Sequence, residues 1–152
     1  MKKLKAIAIG ALLTICLQSQ AQKIPLNEPD YNKAKLFNDL PGKMNLKVSE
    51  METLFSFSPG SSIRIQATEN FLFEGVIISR SDAGDTSVRT VVIRSTNRPG
   101  ASFTFTRITN ADGSIAYRGR IISRNNGDAF EIIQEKGLYV LQKKNLYDLI
   151  SE

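Results

Sequence analysis

The side chains in this sequence best suited to chemistry are arginines. All nine lie between Arg64 and Arg124, and no lysine falls between Lys47 and Lys136. From Thr86 to Arg124, seven arginines are accompanied by a single acidic residue, Asp112. In the stretch Tyr117 to Arg124, strand alternation would set Arg118, Arg120 and Arg124 on one side and Tyr117, Gly119 and Ile121 on the other. Pairing with neighbouring strands could bring Arg94 or Arg107 beside them. A guanidinium is planar and grips carboxylate, sulfate or phosphate with two parallel hydrogen bonds. The pattern therefore points to an acceptor for an anionic ligand or an acidic protein surface. The competing reading is a solvated strand face, whose long side chains discourage edge pairing while their stems cover apolar surface.

Other chemistries have less to work with. The chain contains no histidine and no tryptophan, and its one cysteine, Cys16, lies in the N-terminal leader described below. Ser-His-Asp and Cys-His catalysis are thereby excluded from the mature chain, as are imidazole and thiolate metal sites. A carboxylate hydrolase would have to use Glu74 and Glu131, the candidates within strands, but no spacing pairs them. Asp82, Asp85, Asn125, Asn126 and Asp128 put oxygen atoms in two similar turns without the spacing of a calcium loop, and they are ordinary turn formers. Neither a metal nor a cofactor is expected. Gly75 and Gly119 lack the strand-to-helix setting of a phosphate loop. Nucleic acid is disfavoured, because binding it calls for exposed aromatics within a basic groove and the phenylalanines here read as core.

The first 21 residues have the form of a bacterial signal peptide: basic Lys2, Lys3 and Lys5, an apolar run from Ala6 to Leu17, and the small-x-small site Ser19-Gln20-Ala21. Ile15 stands before Cys16 where a lipoprotein motif has a small residue, which argues against lipidation. The apolar run is too short to cross a bilayer as a helix. Cleavage would remove three of the five net positive charges. The expected compartment is the periplasm, the cell surface or the medium. The expected partner is another exported protein or an anionic envelope component.

The elements that must position the arginines are mainly strands. Phe73 to Arg80 and Tyr117 to Arg124 share an aromatic, a glycine and Ile-Ile-Ser-Arg at identical spacing, which suggests a duplicated unit over 61–95 and 101–134. In the first copy, Phe71, Phe73, Gly75, Ile77 and Ser79 share the expected core face. Leu72, Val76 and Ile78 make the other face apolar as well, which suggests cover on both sides or a bulge at Gly75. Residues 22–43, with Pro25, Pro29 and Pro41, read as an extended arm lying along a single β-domain of residues 44–152. Ser49-Glu50-Met51-Glu52 has the form of a capping box opening a short helix that plugs one end. A closing strand over 138–143 and a helix over 145–151 complete the chain.

Turn signals at Asn97-Arg98-Pro99-Gly100 and Asn110-Ala111-Asp112-Gly113 imply hairpin connections. The predicted fold is thus mainly all-β, an antiparallel meander barrel or curled sandwich of about seven strands with a short helix near each end. The leading functional expectation is a non-catalytic exported binding domain. An accessory envelope protein working through its arm is the alternative, with a carboxylate hydrolase third.

Overall fold

A computed structural model of the chain describes Asp30 and residues 32–81 and 87–150. The leader at 1–21, the first part of the arm and the turn holding Asp82 and Asp85 lie outside the described residues. The strands are β1 (Lys43–Asn45), β2 (Ser62–Thr68), β3 (Phe71–Ser81), β4 (Val88–Ser95), β5 (Ala101–Thr109), β6 (Ile115–Ser123), β7 (Asp128–Glu135) and β8 (Leu138–Asn145). All pair antiparallel in one sheet of order β1-β8-β7-β6-β5-β4-β3-β2. From β2 to β8 each strand pairs with the next, as hairpin-length connections require. The short β1 is the strand beyond the predicted number; it returns along β8. The sheet curls into a half-barrel whose two edges meet where the Lys47 N–H donates to the Ala67 carbonyl at 2.8 Å.

The turns follow their residues. Gly100 adopts φ +83° after Pro99, and the Ala101 N–H closes onto the Arg98 carbonyl. Inside the curl, Phe73, Phe103, Phe105, Phe130, Ile77, Ile93 and Ile121 are fully buried. Their rings meet edge-on or tilted, as in Phe73 against Phe103 at 5.3 Å.

Helix α1 (Val48–Glu52) continues into a 3₁₀ turn (Thr53–Ser56), and Met51, Leu54 and Phe55 fill one end of the curl. The capping box does not form. Lys47 is the N-cap, without a side-chain bond, and Glu52 turns instead to Arg107, with 3.4 Å between Oε1 and Nε. The opposite end is filled by the arm, where Phe37 is fully buried and Leu40 nearly so. The described part of the arm sinks Phe37 and Leu40 into the core, while Asn38, Asp39 and Pro41 stay exposed. The Lys143 ammonium donates to the Phe37 and Leu40 carbonyls, and Arg98 pairs with Asp39, holding that carboxyl below its usual range.

The duplicated glycines mark close strand approach. A Cβ on Gly75 would lie 2.5 Å from the Arg94 carbonyl oxygen, and one on Gly119 would lie 2.4 Å from that of Thr104. Neither glycine carries a bulge. In the first copy the register instead slips at Ile78, between Ile77–Ile93 and Ser79–Val92. The extra residue exposes Ile78 to 43% and sets Arg80 opposite inward-facing Val91. Ser79, expected in the core, is exposed, whereas its counterpart Ser123 is buried. The second copy keeps its register through nine pairs with β5. Helix α2 (Leu146–Ile150) covers that copy's outer face, with Leu146 and Leu149 packed on Ala129 and Ile122.

Candidate functional site: the groove between β6 and β7

Strand β6 pairs with β5 over nine residues and β7 with β8 over eight, yet β6 and β7 pair with each other over only three. That ladder joins Arg120–Ile122 to Ala129–Glu131 and stops. Side-chain volume accounts for the split. The Ile132 δ-methyl sits 2.8 Å from where a Gly119 Cβ would be, so it occupies the space that the glycine leaves. Further along, the Tyr117 and Tyr139 rings meet edge-on at 5.1 Å, with Tyr117 also stacked on Phe105 at 5.6 Å. The Tyr117 N–H donates to the Tyr139 hydroxyl at 3.2 Å rather than to a β7 carbonyl. On the outer surface the divergence leaves a groove of about 610 Å³, with Gly119 and Ile132 at the seam and Arg118, Arg120, Glu131, Ile122 and Ile133 around it.

The two arginines of the groove differ in kind. Arg120 is spoken for: its Nη2 and Nε reach Glu131 Oε1 at 3.1 and 3.3 Å, and its Nη1 donates to the Leu149 carbonyl at 3.1 Å. It clamps β6 to β7 and to α2. Arg118 is exposed and makes no hydrogen bond or ion pair among the described residues. The two stand two positions apart on one face, roughly 7 Å between Cα atoms.

The other predicted arginines do not join them. Arg94 is exposed on the same outer face, but it sits on β4, opposite Ser102, two strands away. Arg124 lies past the end of β6 in the following turn, exposed, where its carbonyl accepts from the Lys33 ammonium at 3.3 Å. Arg107 projects to the inner face, because it shares the parity of buried Phe103 and Phe105 and pairs across from Tyr117. That parity was visible in the sequence. It places Arg107 with Arg80 and Arg89, which donate to the carbonyls of Phe55 and Phe57. Arg89 also lies 4.7 Å above the Phe55 ring. These three arginines hold the α1 plug in place. Tyr117 shares this end, and burial first, then Glu52, pushes its hydroxyl up to about 12.

The carboxylates that sequence reasoning singled out are apart. Glu74 on β3 pairs with Arg64 at 3.0 Å, and Glu131 on β7 with Arg120. Four strand spacings separate β3 from β7, roughly 19 Å along the sheet, against the roughly 5 to 10 Å that glycosidase chemistry uses. Among the described residues no three His, Cys, Asp or Glu side chains cluster as a metal site would need. Asp128 accepts from the arm, and Asn126 bonds Ser123 and the Ala34 carbonyl. Sequence reasoning missed Glu52, Tyr139 and Phe37 as organising residues. Tyr139 carried no signal beyond its place in a strand, and Phe37 only its place in the arm beside apolar Leu36 and Leu40. No protein family, curated protein or solved structure matches this chain.

Proposed function

We propose that the mature chain is an exported, non-catalytic β-domain that binds an anionic group of a protein or envelope component in the groove between β6 and β7. The leader-like N-terminus supports export. One observation carries the choice of site: Arg118, exposed and unpaired among the described residues, stands at a groove of about 610 Å³, beside apolar Ile122 and Ile133. An unsatisfied guanidinium next to apolar surface favours an anion that brings some hydrophobic area with it. The described part of the arm is committed to its own domain through Phe37 and Asp128, which favours the groove over the arm as the point of contact.

Titrating residues 22–152 with succinate, while following the arginine Nε–H signals by NMR, tests this reading. Arg118 should move first, with an affinity that falls as salt is added. Replacing Arg118 by Ser should weaken binding about tenfold, the worth of one charge-assisted hydrogen-bonded contact. An unchanged affinity, or a response confined to Arg94 and Arg124, would overturn it.

A further inference from the structure

The split ladder leaves more than one charge unsatisfied. Ile115–Gly119 on β6 and Ile132–Glu135 on β7 have no ladder pairs across the seam, although each segment is held firmly by the strand on its far side. Backbone groups of a strand carry obligatory hydrogen-bonding capacity, and unpaired strand edges are templates for another chain. At one point the molecule supplies a substitute: the Tyr139 hydroxyl accepts the Tyr117 N–H where a strand partner's carbonyl would.

Building on the reading of the groove as an anion site, we infer that its occupant is an extended peptide segment of another protein, carrying one carboxylate side chain for Arg118 and aliphatic side chains on the same face for the apolar surface at Ile133. The open part of β6 is five residues long, roughly 16 Å, enough to lie beside four or five residues of extended chain. Alternate side chains of such a segment fall on one face, roughly 7 Å apart, the same interval that separates successive outward residues of β6. Charge fixes the composition. Arg120 is neutralised by Glu131, so among the described residues the groove offers Arg118 as its one free cation and accepts one carboxylate; a run of acids would meet Glu131 instead. A bare phosphate or sulfate would use Arg118 and leave both the seam and Ile133 unused. A membrane surface would need several free cations in one plane, whereas Arg94 lies two strands off and Arg124 beyond the strand end.

The test uses residues 22–152 and three probes: a capped hexapeptide Ile-Ser-Asp-Ser-Ile-Ser, which sets one Asp and two Ile on one face, the same peptide N-methylated at alternate amides, and succinate. Binding of the hexapeptide should protect amides within 115–119 and 132–135 from hydrogen exchange. N-methylation on the edge facing the seam should weaken it about tenfold or more, as loss of backbone hydrogen bonds predicts. Arg118→Ser, an exposed change that leaves the fold alone, should weaken the peptide and succinate alike. Succinate binding at Arg118 as tightly as the peptide, or N-methylation without effect, would overturn the peptide inference and leave the anion site standing. Protection confined to other strands would overturn it as well. No response of Arg118 to any probe would remove both readings.

Discussion

The carboxylate of Asp128 receives the backbone N–H of Phe37 at 2.9 Å, across 91 positions of sequence, and the Leu36 N–H at 2.6 Å. Asp128 is only 2% exposed, so these two peptide donors stand in for water around its charge. The contact orients Phe37 onto Phe130, ring centroids 5.2 Å apart. The arm thereby closes one end of the curl as α1 closes the other.

Breaking that anchor should destabilise the whole domain. Asp128→Ala leaves two peptide donors without their acceptor and should cost about 3 kcal/mol, while Phe37→Ala should cost about 3 to 5 kcal/mol through the cavity it opens. Urea unfolding of both variants measures this. Losses under about 1 kcal/mol in each would mean that the arm is a surface appendage.

The two matched glycines should resist substitution equally. A methyl group at Gly75 or Gly119 meets backbone oxygen at 2.5 or 2.4 Å, and a backbone oxygen cannot rotate away as a side chain can. Gly75→Ala and Gly119→Ala should each lower stability by about 1 to 3 kcal/mol or more. Gly42, with nothing within 4 Å of its Cβ position, is the control, and Gly42→Ala should be neutral or slightly stabilising. Equal melting temperatures for all three variants would contradict the close approach.

Arg118 and Arg120 should separate in a stability assay. Arg118→Ser removes no hydrogen bond or ion pair among the described residues and should stay within about 0.5 kcal/mol of the parent. Arg120→Ser loses the Glu131 pair and the bond to the Leu149 carbonyl, and should lower stability by about 1 to 2 kcal/mol and speed exchange of the α2 amides. The reverse order would exchange the roles assigned to them.

Tyr117 should ionise later than an ordinary tyrosine. Its folded value, about 12, lies above the ordinary 10.0, so the folded state holds this proton more tightly than the unfolded chain does. The resulting stability is complete below pH 10 and is lost as pH rises from there through about 12. Absorbance titration of the phenolates reads it directly. Glu52→Gln should bring the late phase down without abolishing it, since burial is the larger cause. The absence of a late phase in the parent would contradict the half-buried grouping of Glu52, Arg107 and Tyr117.

Much of the architecture was legible in residue order because strand alternation and turn chemistry are local. Phe103 and Phe105 alternate with Thr104 and Thr106, and the structure buries the rings. Pro99 and Gly100 dictate their turn by φ alone. Even Arg107's inward course followed from the parity of Phe103 and Phe105, a signal that the search for a shared arginine face passed over.

The tertiary structure decided what depends on register and on contacts distant in sequence. Nothing local distinguishes Ile78 from its repeat partner Ile122, yet one bulges into solvent and the other pairs with Ala129 beneath α2. The slip at Ile78 turns Arg80 inward to hold the plug, while Arg124 at the matching position stays exposed. The groove follows the same logic: the sequence shows Gly119, but only folding brings Ile132 and Tyr139 against β6 to part the strands around Arg118. Residue periodicity determines which side of a strand each side chain takes. Which strands stay paired is determined by how the side chains of different strands share one volume, a competition that no single stretch of chain contains.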